Sequence, residues 1–157
     1  MIWQLLVIIL IAANLQLAHA DEDPLVSASR IAISGMQAQS ERLKVLAQNI
    51  ANAEVTGKTP DEDPYRRKII FFKNEYDADA KTVLLKVDST SEDTSEFELR
   101  YLPYHPAADY QGFVKYPNVN KIIEVADIKE VQSSFEANAA SLEITKSNQV
   151  KILELMR

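Results

Sequence analysis

The sequence predicts an α+β protein in which long N- and C-terminal helices form a coiled-coil-like pair around a small β-rich insert. Three observations carry that prediction. Val26, Ser29, Ile33, Met36, Ser40, Leu43, Ala47 and Ile50 recur every three and four residues, the a/d spacing of a coiled-coil seam. A second series, Ile128, Val131, Phe135, Asn138, Leu142, Thr145, Gln149, Ile152 and Met156, repeats in the same way to the last position but one. Between them lie short apolar runs of strand length, separated by proline-containing and polar turns.

The 157 residues allow one modest domain, and 46% hydrophobic with 25% charged residues is a globular composition. A formal charge of -6 and no basic face argue against nucleic acid as a partner, because phosphate binding needs clustered Lys and Arg to release counterions. Cysteine is absent, which excludes disulfides, thiolate catalysis and Cys-ligated zinc. Only Gly35, Gly57 and Gly112 occur, so there is no glycine-rich phosphate loop.

Residues 1–20 have the form of a signal-peptide leader, with an apolar run from Leu5 to Ala13 and a small-x-small site at Ala18-His19-Ala20. Cleavage there would leave Asp21 first. The run is short for a bilayer span, and the n-region holds no Lys or Arg. Asp23 before Pro24 starts a helix, since the carboxylate accepts from the first free amides and proline lacks only a donor that has no use there. This helix runs to about Ala53. Gly35 inside it costs roughly 1 kcal/mol against alanine; it is either tolerated or marks a close approach by a neighbouring helix. Gly57 suits the chain reversal that follows.

Lys58 to Pro64 is an acidic loop, in which Asp61 and Asp63 alternate like calcium ligands but lack the glycine and distal glutamate of an EF-hand. Arg66-Arg67-Lys68 is a solvated basic face or an electrostatic docking patch, the latter with Asp61 to Asp63 or a neighbouring chain's acids as partners. Strands are expected at Ile69–Phe72, Thr82–Asp88, Glu96–Leu102 and Gly112–Val114, with a polar turn over Ser89–Ser95. His105 and Asp109 fall in a loop flanked by prolines, with no nucleophile to serve, and are assigned to structure. Tyr116-Pro117-Asn118-Val119-Asn120 is a turn ending in a helix cap.

Ile31-x-x-Ser34-Gly35-Met36-x-Ala38-Gln39 and Gln48-Asn49-Ile50-Ala51-Asn52-Ala53, with Thr56 beyond, resemble the N-terminal signature of the flagellar rod, hook and filament-axis proteins. Asp63-Pro64-Tyr65-Arg66-Arg67-Lys68, Tyr116-Pro117-Asn118-Val119-Asn120 and Phe135-Glu136-Ala137-Asn138 narrow the resemblance to the proximal-rod branch. It runs from about Asp23 to Arg157. It implies a structural subunit of the flagellar basal body on the periplasmic side, self-assembling and meeting other rod proteins and the export gate or membrane ring. Family members are exported without a cleaved signal and begin near Asp23, so residues 1–22 are read as a cleaved leader, an anchor or the product of a misplaced start.

The resulting plan is a leader at 1–20, a rod helix at 23–56, an insert at 57–117 and a second rod helix at 118–157. The expected assembly residues are Ile33, Met36, Leu43, Asn49, Ile50 and Asn52 on the first helix, and Ile128, Val131, Phe135, Asn138, Leu142 and Ile152 on the second. The competing expectation is a non-polymerising periplasmic or membrane-anchored helical adaptor. An enzyme is not expected: no nucleophile with a base, metal cluster or cofactor loop can be assembled, and neither cofactor nor small-molecule substrate is implied.

Overall fold

The structure, a computed structural model, describes residues 23–156; the expected leader lies outside them. Helix α1 spans Pro24–Asn52 and helix α2 spans Lys121–Leu155. Asp23 Oδ1 accepts from the Leu25 amide at 3.0 Å, and Asn120 Oδ1 accepts from those of Ile122 and Ile123, so both starts are capped as their sequences require. The helices lie antiparallel. Asn49 meets Glu124, Arg42 meets Glu130 and Gly35 meets Asn138, a register that sets Gln149 opposite Pro24. Beyond Gln149, therefore, α2 runs past the first residue of α1. Among the described residues no helix is long and apolar enough to cross a membrane.

The inward stripe of α1 is displaced about one residue from the expected seam. Ala32, Gly35, Ala38, Leu46 and Asn49 are buried, whereas Ile33 is 41% exposed and Ala47 is exposed. Small residues bring the two backbones close, and this resolves Gly35: a Cβ there would stand 2.9 Å from the Asn138 side-chain nitrogen. On α2 the expected series holds from Ile128 to Gln149 as buried or half-buried positions, then ends, because Ile152 and Met156 pass beyond α1 and are exposed. The polar seam residues do not pair across the interface. Asn138 donates to the Ser134 carbonyl and Thr145 to the Ser141 carbonyl, each on its own helix.

Two antiparallel ribbons make up the insert. Strands β1 (Lys68–Asp77) and β2 (Thr82–Glu92) form a long hairpin, and β3 (Glu98–Tyr101) and β4 (Phe113–Tyr116) form a short one. The first is longer than expected. Residues 73–77 and 89–92 lack an apolar pattern, but each pairs with the apolar stretch of the opposite strand, 73–77 also through ion pairs such as Lys86 with Glu75 at 2.6 Å, so both are strand rather than turn. Phe71 pairs with Ser89 and Phe72 with Val87, leaving Asp88 as a bulge. The hairpin lies along α1, where Ser34 Oγ accepts from the Leu85 amide and Ser27 Oγ donates to the Ala80 carbonyl. The short ribbon sits at the other end of α1, tied there by Arg100 to Glu54.

α1 closes on Ala53 in right-handed conformation, not on a glycine. Gly57 serves space instead: a Cβ there would fall 2.2 Å from the Glu62 carbonyl oxygen. Gly57→Ala is expected to force the 57–62 loop open and cost about 1–3 kcal/mol, as overpacking does. Gly35→Ala should be close to neutral, since the Asn138 side chain can move and alanine returns roughly 1 kcal/mol of helix propensity. Urea unfolding of both variants checks the order; equal midpoints would refute it.

Candidate assembly site

Two regions gather the expected residues, one a polar clasp and the other an open groove. The clasp is built where α1 ends, α2 begins and β1 starts. Asn49 and Glu124 are both fully buried there. Asn49 Oδ1 accepts from the Tyr65 hydroxyl at 2.8 Å and the Lys68 amide at 2.9 Å, while Nδ2 donates to the Lys68 carbonyl at 2.9 Å and Glu124 Oε2 at 3.0 Å. All four bonding sites of the amide are used. It pairs with both main-chain groups of Lys68, much as a neighbouring strand would.

Glu124 Oε1 accepts from Arg67 Nε at 2.6 Å, and Arg67 also approaches Asp93 at 3.6 Å. Burial works against the charge on Arg67, but its hydrogen bond to Glu124 and the nearby Asp93 hold its pKa above the ordinary value. The backbone amide and hydroxyl of Ser95, followed by Arg67, pull the Asp93 carboxyl below its own. Burial first, then the carboxylates of Glu124 and Glu92, push the Tyr65 phenol up. Asn118 extends the clasp, accepting from the Arg67 amide at 2.8 Å and donating to the Asp93 carbonyl at 3.0 Å.

Arg66 and Arg67 therefore do not dock on Asp61 to Asp63. Arg66 donates to the Asp93 and Ser95 carbonyls and stacks on Phe97, while Asp63 pairs with Lys115. Sequence reasoning missed Glu124. Its signal was present, because the second seam extended back four residues from Ile128 lands on it.

The groove lies along the helix pair. Ile33, Met36, Ser40 and Leu43 from α1 face Val131, Phe135 and Leu142 from α2 across two adjoining clefts of about 310 and 360 Å³. Buried Val131 forms its floor. Gln39 Oε1 is buried beside it with no hydrogen-bond partner among the described residues. Of the remaining expected residues, Ile50 and Ile128 are half-buried, Asn52 donates to its own helix at the Gln48 carbonyl, Asn138 packs on Gly35, and Ile152 lies on the free end of α2. His105 accepts from the Ala107 amide through Nδ1, which accounts for it within the loop. Among the described residues no group of acids and histidines is placed to hold a metal ion.

Comparison with known proteins bears on both regions. A family described as "Flagella basal body rod protein" matches residues 30–57, most of α1 and the turn after it. The flagellar basal-body rod protein FlgC of Agrobacterium fabrum is 43% identical over 135 residues, covering 86% of this chain and 97% of that protein. FlgC of Escherichia coli O157:H7 is 40% identical over 126 residues, with 80% and 92% covered. FlgC of Bacillus subtilis is 30% identical over 140 residues, with 80% and 93% covered.

Proposed function

The chain belongs to the FlgC family of flagellar basal-body rod proteins and is a structural subunit of that rod, and from this premise we propose that it assembles by receiving a neighbour's helix in the groove between α1 and α2. The carrying observation is that the residues at coiled-coil spacing, Ile33, Met36, Leu43, Phe135 and Leu142, line an open groove instead of filling the core. A third helix laid there would bury them as knobs in holes. A donor on that helix would also relieve Gln39 Oε1, whose isolation costs about 1–3 kcal/mol.

The free end of α2 supports the same reading, since Ile152, Leu153, Leu155 and Met156 stand exposed past α1. Residues 23–56 and 118–157 are then the rod-forming segments and 57–117 the insert that braces them. Torque passes through interlocked helices, with further copies, other rod proteins and the basal-body export gate or ring as neighbours, on the periplasmic side. A non-polymerising adaptor is not favoured, because the likeness to rod proteins runs through nearly their whole length.

The absence of cysteine makes a direct test simple. Leu43→Cys and Leu142→Cys should react with a maleimide in the purified chain and be shielded in isolated basal bodies. Tyr76→Cys on the long hairpin serves as the reference for a surface outside the groove. Equal labelling of the groove cysteines in both states would defeat the proposal.

A further inference from the structure

The short ribbon carries an aromatic knob at one end and a cleft at the other. Its ladder pairs Glu98 with Tyr116 and Tyr101 with Phe113, so the loop 102–112 leaves from one end while 95–97 and 117–122 continue from the opposite end, joined by Asn118 donating to the Ser95 hydroxyl. Four residues of strand, roughly 3.3 Å each, separate the two.

The loop is rigid. Leu102 and Gly112 bond across its base, Asp109 Oδ1 accepts from the amides of Gln111 and Phe113, and the His105 amide donates back to the Leu102 carbonyl. Gly112 has φ +87°, and a Cβ there would strike the Tyr101 ring at 2.8 Å. On this frame Tyr104 is 100% exposed and Tyr110 95%. The frame fixes the backbone that carries both tyrosines, so contact costs mainly their side-chain rotations, and aromatic anchors of this kind dominate interface energies. The Asp109 carboxylate and the His105 imidazole both accept from the loop's own amides, so the groups the tip presents outward without a structural task are its tyrosines.

The cleft measures about 520 Å³. Phe97, Val119 and Ile122 supply apolar walls, and Glu96 and Arg100 stand at its polar side. Glu54 and Glu98 are tied to Arg100 and Lys121, with the hydrogen bonds from those cations drawing both carboxyls below their ordinary range. Glu96 has no hydrogen-bond or ion-pair partner among the described residues. A phenol entering this cleft finds apolar walls for its ring, the edge of a guanidinium, and a carboxylate to accept its proton-bearing oxygen.

We infer that the tyrosine tip of one subunit docks in the cleft of the next copy, with Tyr104 or Tyr110 donating to Glu96. This rests on the reading of the chain as a self-assembling rod subunit and adds a contact made by the insert, outside the helices. Because knob and cleft lie at opposite ends of one ribbon, the contact is heterologous and repeats from copy to copy, giving a ring or helical row instead of a closed pair.

The test uses the full-length cysteine-free chain carrying Tyr104→Cys with Glu96→Cys, incorporated in basal bodies and treated with a short bis-maleimide. A second chain carries Tyr110→Cys with Val119→Cys. A ladder of dimers, trimers and larger multimers of this chain is expected from either pair, lost when one cysteine of the pair is omitted. No ladder from either pair, in basal bodies where Leu43→Cys is still shielded, would overturn the inference while leaving the helix groove intact. Cross-links only to a protein of another size would overturn it as well, by assigning the cleft or the tip to a different partner.

Discussion

Asn49→Ala is expected to cost the folded chain about 3–5 kcal/mol, because it leaves several part-buried hydrogen-bonding groups without a partner at once while Glu124 keeps only Arg67. The substitution strips partners from the Tyr65 hydroxyl, both main-chain groups of Lys68 and Glu124 Oε2, at a site with no exposed surface. Each orphan costs about 1–3 kcal/mol and the losses are not additive, so the total falls below their sum. Asn49→Asp is the harsher change, because it sets a second carboxylate beside Glu124. Asn52, three residues on in the same Gln-Asn-Ile-Ala-Asn-Ala motif, is half-buried and donates only to the Gln48 carbonyl of its own helix, in a solvent-exposed bond. Asn52→Ala should therefore shift the urea midpoint little. Equal shifts for the two alanine variants would show that the clasp does not hold the insert to the helices.

Leu43→Asp and Leu142→Asp are each expected to abolish rod formation and swimming while leaving the chain made and folded. Both residues are half-buried on the groove and not in the core, so a carboxylate there can reach water in the free subunit. Once a neighbouring helix covers the groove, the charge must be desolvated without a partner, at a cost far above that of any single surface contact. Lys44→Gln is the control. Lys44 pairs with Glu41 on the exposed face, a contact contributing about 0.2–1 kcal/mol. Complementation of a host lacking its own copy reads the result as motility, and basal-body isolation reads it as rod. Swimming in both seam mutants would move assembly away from the helices and onto the insert.

The two variants separate functions that look alike in the sequence. Asn49 and Leu43 fall in one helix at neighbouring heptad positions, and both were expected at the assembly surface. The fold turns Asn49 inward, onto the start of β1 and Glu124, and leaves Leu43 on an open groove. A periodicity of three and four specifies that a helix has a face, not which of two adjacent faces its own partner takes. Here α2 approaches closely at Gly35, the small residues Ala32 and Ala38 are buried near it, and the larger seam residues remain at the side.

The strands show the same limit differently. Ile69–Phe72 and Thr82–Asp88 were legible from apolar content, but Lys73–Asp77 and Ser89–Glu92 were not, because pairing with the opposite strand holds them. Cross-strand hydrogen bonds and ion pairs leave no mark on the local pattern of a single segment.

What the sequence determined by itself was therefore what depends on local chemistry and spacing. This covers two capped helices of nearly the observed bounds, a β insert between them, and the motifs of a flagellar rod protein. Tertiary structure alone decided which face turns inward, that Arg67 belongs to Glu124 and not to Asp61 or Asp63, and that α2 outruns α1 past Gln149. Those outcomes depend on contacts between residues 57 and 75 positions apart in the clasp, and on an antiparallel register that such contacts select. Hydrophobic spacing is a property of one helix; register is a property of the pair, set where a buried amide, a carboxylate and a guanidinium must all find partners at once.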